Sequence, residues 1–160
     1  MLPVSRSLLA AFLLLGLTAA TAHARLGDTM AQLKKQFGSP EPQSRKNVAV
    51  WFFEIQDGRM IYTVTFNAKG QSIAEGLKPI MNALFTSNIA QNFIEAQVGP
   101  FRDSKTLRTL DPGEKYTFAG QAFSCGAQER VLVDEANDFL IIWTRTGLPA
   151  VMAVRREMMH

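Results

Sequence analysis

The sequence predicts an α+β fold of two tandem units, each a short helix followed by an antiparallel β-meander, with the helices packed on one face of the sheet. Three observations carry that expectation. Apolar residues at helical spacing end twice on glycine–proline punctuation, at Phe37-Gly38-Ser39-Pro40 and at Val98-Gly99-Pro100. Each ending is followed by runs rich in aromatic and β-branched residues, the composition of strands. The densest run of each half holds one tryptophan, Trp51 in the first and Trp143 in the second. The boundaries that follow are 1–24 for a leader, 25–79 for the first unit and 80–160 for the second.

The leader comes first. Arg6 precedes an uninterrupted small-and-apolar run, Leu8–Ala20, and Ala22-His23-Ala24 supplies the small–x–small pattern cut by a signal peptidase. The run is shorter than the ~20 residues of a membrane-spanning helix. An exported protein starting at Arg25 is expected, periplasmic or secreted and without stable membrane insertion after cleavage. A cut after Ala22 fits the same pattern. No cysteine lies beside the cut to carry a lipid.

The first helix follows. Leu26, Met30, Leu33 and Phe37 are spaced 4, 3, 4, one helical face, with Asp28 or Thr29 as N-cap. Lys34-Lys35 suits the last turn, Gly38 the left-handed C-terminal position, and Pro40 blocks continuation. Val48–Ile55 then reads as a strand, Asp57-Gly58 as a hairpin turn, and Met60–Asn67 as a strand with one wet face. Asn67–Gly70 is a further turn, and Gln71–Gly76 a third strand. In the second half, Ser87 caps a helix through Ile89, Phe93 and Ala96. Tyr116–Phe123, Arg130–Asp134, Phe139–Arg145 and Val151–Arg156 read as strands, separated by Gly126, the Asp134–Asp138 cluster and Gly147-Leu148-Pro149.

The segment Leu26-Gly27-Asp28-Thr29, helix, Phe37-Gly38-Ser39-Pro40, aromatic strand and Val64-Thr65-Phe66-Asn67-Ala68-Lys69-Gly70 resembles the opening of the SmpA/OmlA-type domain. That domain occurs in small outer-membrane assembly lipoproteins and, duplicated, in β-lactamase-inhibitory proteins. The resemblance covers Leu26–Leu77, and Ser87–Arg156 by element order alone. It implies a helical layer on an antiparallel sheet and a role in binding other proteins. The assembly lipoproteins begin their mature chain with a lipidated cysteine, which this chain lacks.

Composition narrows the chemistry. The net charge is +3, and the basic residues are scattered, so nucleic acid is not an expected partner. The two histidines are His23, in the leader, and His160, the last residue. Triads, Cys-His pairs and histidine zinc sites therefore have no imidazole in the body of the chain. No cofactor or metal is expected. Cys125, the single cysteine, reads either as a buried small hydrophobe or as a reactive or intermolecular thiol.

Val48–Ile55 and Phe139–Trp143 are apolar on both alternating faces, where a sheet with helices on one side should be wet on the other. Either the second face is covered internally, or an aromatic surface receives a partner. The second reading makes the chain an exported, non-enzymatic protein-binding module with Trp51, Phe53, Tyr62 and Trp143 as apolar anchors for another envelope or secreted protein or peptide. A competing reading is a small-ligand carrier or carboxylate enzyme with Asp134, Glu135 and Asp138 in its site. A third is a homodimer joined through Cys125 or an open sheet edge.

Overall fold

The computed structural model describes residues 25–42, 45–55, 58–80 and 83–159. The expected leader, the Asp57 half of the first hairpin turn and the terminal His160 lie outside the described residues. Helix α1, Met30–Phe37, is opened by Thr29 rather than Asp28. The Thr29 hydroxyl accepts from the Gln32 amide while the Gln32 side chain reaches back to the Thr29 amide, a capping box. Gly38 ends it at φ +79°, in the left-handed region, with its N–H on the Lys34 carbonyl.

Strands β1 (Val48–Ile55), β2 (Gly58–Phe66) and β3 (Ser72–Ile80) follow as a meander. Helix α2, Ser87–Val98, is capped by Thr86, whose hydroxyl accepts from the Ile89 amide, one residue earlier than Ser87. After a 3-10 turn at Gly99–Phe101 come β4 (Leu107–Thr109), β5 (Lys115–Phe118), β6 (Gln121–Ser124), β7 (Glu129–Asp134), β8 (Phe139–Thr144) and β9 (Ala150–Arg155), with a closing 3-10 turn over Arg156–Met159. The run Tyr116–Phe123 is thus two strands. Ala119 and Gly120, at φ +52° and +78°, form the reversing pair between them.

The architecture is α+β and every strand pairing is antiparallel. Seven strands form one sheet in the order β1-β2-β3-β9-β8-β7-β4, and β5-β6 stands apart as a hairpin. The last strand, β9, inserts beside β3, with Leu77 opposite Val151 and Glu75 opposite Ala153, so both halves of the chain build one sheet. One buried cluster gathers Leu33 of α1, Ala90, Phe93 and Ile94 of α2, and alternate strand residues including Trp51, Tyr62, Ile141 and Trp143. A second gathers Phe118, Cys125, Val131, Val133, Leu140 and Val154, where the β5-β6 hairpin meets the strands of the second half. This explains the doubly apolar β8. Its two faces feed two different cores.

Candidate functional site

A cleft of about 900 Å³ opens between α1, α2 and the first three strands. Phe37 is the last residue of α1 and sits there because Gly38 turns the chain away. Its ring meets Trp51, Phe53 and Tyr62 edge-on at centroid distances of 5.9, 5.3 and 5.4 Å. Phe53, Tyr62 and Leu77 form the strand side of the cleft, and Ile89, Phe93 and Ala96 the α2 side. Phe37, Phe53, Leu77, Ile89 and Ala96 are only partly buried, so their apolar surface faces the opening. Arg25, Asn92, Glu95 and Arg102, all exposed, supply the polar lining. Arg102 and Glu95 stand 3.9 Å apart.

Beneath Tyr62 runs a buried polar network centred on Glu75, which is 1% exposed. The alternation of β3 turns this carboxylate toward the same interior as Leu77, between Val64 of β2 and Ala153 of β9. It accepts three hydrogen bonds: from the Tyr62 hydroxyl at 2.8 Å, from Ser72 Oγ at 2.7 Å and from Gln97 Nε2 at 2.6 Å. Burial pushes its pKa up, and the nearby Asp28 adds to this, while the three donors oppose it; the net direction is upward. Tyr62 is raised well above the usual phenol range, first by burial and then by Glu75. Gln97 passes the network on, its Oε1 accepting from the Leu26 amide at 2.8 Å.

The four aromatic residues expected as anchors do not form an open surface. Trp51, Tyr62 and Trp143 are 3, 3 and 7% exposed and belong to the core. Trp51 donates its indole N–H to the Gly38 carbonyl at 3.0 Å, tying β1 to the end of α1. Trp143 Nε1 has no hydrogen-bond partner among the described residues, and Arg145 lies over its ring at 4.8 Å. Of the four, Phe53 and Tyr62 line the cleft, and only Phe53 is partly exposed. The sequence marks the aromatic strand; it does not mark that Trp51 and Tyr62 close into one buried cluster with Leu33, Ala90, Phe93 and Ile94.

Cys125 is 2% exposed, its thiol directed at the Leu110 and Gly126 carbonyls at 3.9 and 3.8 Å. Burial, then the negative Glu129, pushes that thiol up and away from the reactive thiolate. Of the two readings of Cys125, a buried small hydrophobe and a reactive or intermolecular thiol, its placement in the second core accords with the first. The acids of the competing site are turn-builders. Asp134 accepts from Thr106 Oγ1 and from the Asn137 backbone and side chain. Burial raises its pKa, but these hydrogen bonds outweigh that and hold it below the usual carboxylate value. Glu135 accepts from the Tyr116 hydroxyl, and Asp138, at φ +58°, pairs with Arg156. None of the three lines the cleft.

Glu75 and Gln97 were not singled out from the sequence. The available signal was an acid at an inward position of an otherwise apolar strand. Among the described residues, no group of three or more His, Cys, Asp or Glu is placed to hold a metal ion. No described helix is long and apolar enough to cross a membrane. Compared with known proteins, the chain finds no counterpart: no family model, curated protein or solved structure matches it.

Proposed function

We propose that this chain is an exported, non-enzymatic binding module that receives apolar side chains of another envelope or secreted protein in the cleft between its helices and sheet. On this reading it is built of two tandem SmpA/OmlA-like units, 25–79 and 80–160, with both helices on one face of a shared sheet. The carrying observation is the cleft itself, whose apolar walls remain half-open while the neighbouring Trp51 is sealed. Its polar lining carries both signs, Arg25 and Arg102 with Glu95, which suits a peptide of mixed charge better than a strongly charged partner. The hydroxyl proton of Tyr62 is spent on Glu75, so the phenol at the floor donates inward rather than into the cleft.

A second reading has one observation in its favour. The volume falls within the ~300–1,000 Å³ of small-molecule pockets, so an apolar ligand is the alternative occupant. Filling the cleft tests the proposal. Ala96→Trp, at a partly buried position on α2, should abolish partner capture from the native envelope fraction. It should leave the thermal midpoint within a few degrees of wild type. Undiminished capture of the same partner by that variant rejects the cleft as the binding surface. An apolar compound extracted from the purified wild-type protein moves the assignment to the second reading.

A further inference from the structure

The start of the described chain is hydrogen-bonded to β3 and to α2. The Leu26 amide donates to Gln97 Oε1 at 2.8 Å. The Gly27 amide reaches the Ser72 carbonyl and hydroxyl, both at 2.9 Å, and the Ser72 amide returns to the Asp28 carbonyl at 2.9 Å. The Arg25 backbone nitrogen lies 3.1 Å from Asp28 Oδ2. The Asp28 side chain is only 6% exposed, and its paired guanidinium, that of Arg25, stands at 3.6 Å. This nearly closed carboxylate therefore has a backbone nitrogen at hydrogen-bond distance, at the position where the sequence places the cut.

We propose that cleavage between Ala24 and Arg25 creates a structural ion pair, the released α-ammonium of Arg25 binding the Asp28 carboxylate, so that maturation itself locks the N-terminal segment onto β3 and α2. The inference rests on the reading of residues 1–24 as a cleaved export leader. The step is a hydrolysis by a signal peptidase and consumes one water. The hydroxyl goes to the Ala24 carbonyl, which leaves as a carboxylate, and the nitrogen of Arg25 is protonated to an ammonium. Before the cut that nitrogen is a neutral amide with one donor. Afterwards, at the same place, it carries a full charge and three donors, and charge-assisted hydrogen bonds are roughly twice as strong as neutral ones. A cut after Ala22 leaves His23-Ala24 attached and the nitrogen an amide, so only the later cut makes the pair.

Several groups face Asp28. Its own element brings the Arg25 guanidinium, and β3 and β2 bring Glu75 and Tyr62, both electrostatically coupled to it. From β9, Arg155 reaches the Leu26 carbonyl at 3.3 Å, and from α2 comes the neutral Gln97. The ion pair raises the pKa of the amine in the folded state. Its stabilisation is therefore complete below the unfolded pKa of about 7.7–8.0 and is lost as pH rises through the folded value.

The test uses the full chain exported through its own leader. Intact mass of the purified product gives its first residue. The thermal midpoint is then measured at pH 6 and pH 10, before and after selective acetylation of the α-amine, in wild type and Asp28→Asn. The expected product starts at Arg25. Acetylation should lower the wild-type midpoint by about 2–4 °C at pH 6, have little effect at pH 10, and have little effect in Asp28→Asn at either pH. A product starting at Arg25 whose midpoint ignores acetylation at pH 6 overturns the ion pair and leaves export standing, as does a product starting at His23. A product that retains the leader overturns export, and the proposal with it. If Asp28→Asn does not fold, acetylation of the wild-type protein alone still decides.

Discussion

Replacing Glu75 by glutamine isolates the protonation of the network beneath the cleft. Glu75 Oε2 takes donors from Tyr62 and Gln97, and Oε1 takes the Ser72 hydroxyl. A glutamine can keep its oxygen where Oε2 lies. Its new amide nitrogen then faces Ser72 Oγ, whose proton is free to move to the Arg25 carbonyl, 3.1 Å away. Every partner stays satisfied, so Glu75→Gln removes a titration without removing the network. The sign follows from the upward shift, caused chiefly by burial. Between the unfolded carboxylate pKa of about 4.3 and the higher folded one, the native state holds a proton that the unfolded chain has lost. Wild-type stability therefore falls with rising pH across that window, by at most about 1.4 kcal/mol per pH unit, and levels off above it. The variant has no such slope at this position. Urea unfolding at intervals from pH 4 to pH 8 gives the difference between the two curves, which should tilt against wild type as pH rises. A flat difference, or one tilting in favour of wild type, refutes the reasoning. Glu75→Ala is the harsh control: it removes the acceptor of three buried hydrogen bonds, of which only that of Ser72 has the Arg25 carbonyl as a replacement, and should cost about 3–5 kcal/mol, the range for breaking a buried charged network.

The two tryptophans separate by their indole nitrogens. Trp51→Phe loses a 3.0 Å bond to the Gly38 carbonyl, whereas Trp143→Phe deletes a donor without a partner among the described residues. With similar volume lost in both, Trp143→Phe should be the less destabilising by about 2 kcal/mol even after losing its contact with Arg145. Equal costs by denaturant titration reject that account. Cys125 should resist a thiol reagent in native buffer and react promptly in denaturant; fast labelling of the native protein contradicts its burial.

What the sequence disclosed and what it hid divide along chain separation. Helix α1 was legible because its stripe, basic last turn and Gly38 are all local, and the strands of the first meander because their alternation is local and their partners lie close in the chain. The split of Tyr116–Phe123 was hidden because Ala119 adopts a positive φ that alanine rarely takes. Leu107–Thr109 was hidden because three residues carry no periodicity; it is a strand only through its pairing with Leu132–Asp134. Insertion of β9 beside β3 is a contact between distant segments that no local pattern encodes. The cleft is of that kind too, since its walls come from α1, β1, β2, β3 and α2.

The doubly apolar β1 then leaves one choice between surfaces. Its inward set, Ala49, Trp51 and Phe53, joins the first buried cluster, with Phe37 against Trp51 and Phe53, while Val48, Val50 and Phe52 point the other way. Among the described residues that outer face has no counterpart of the roof in the second half, where the β5-β6 hairpin shares a core with β7, β8 and β9. Phe52 and Met152 stand 39 and 43% exposed. Yet the outer face of this half also carries Thr63, Thr65 and the ion pair of Arg59 with Glu54, which break the apolar surface into single residues of the sort any soluble protein shows. The cleft instead concentrates Phe37, Phe53, Leu77, Ile89 and Ala96 in one concavity, where a visiting side chain loses water on several sides at once. At about 25 cal/mol per Å² of apolar area removed from water, a side chain that buries more of its surface in a concavity gains more than one laid on scattered exposed residues, which is the ground for proposing the cleft as the binding surface.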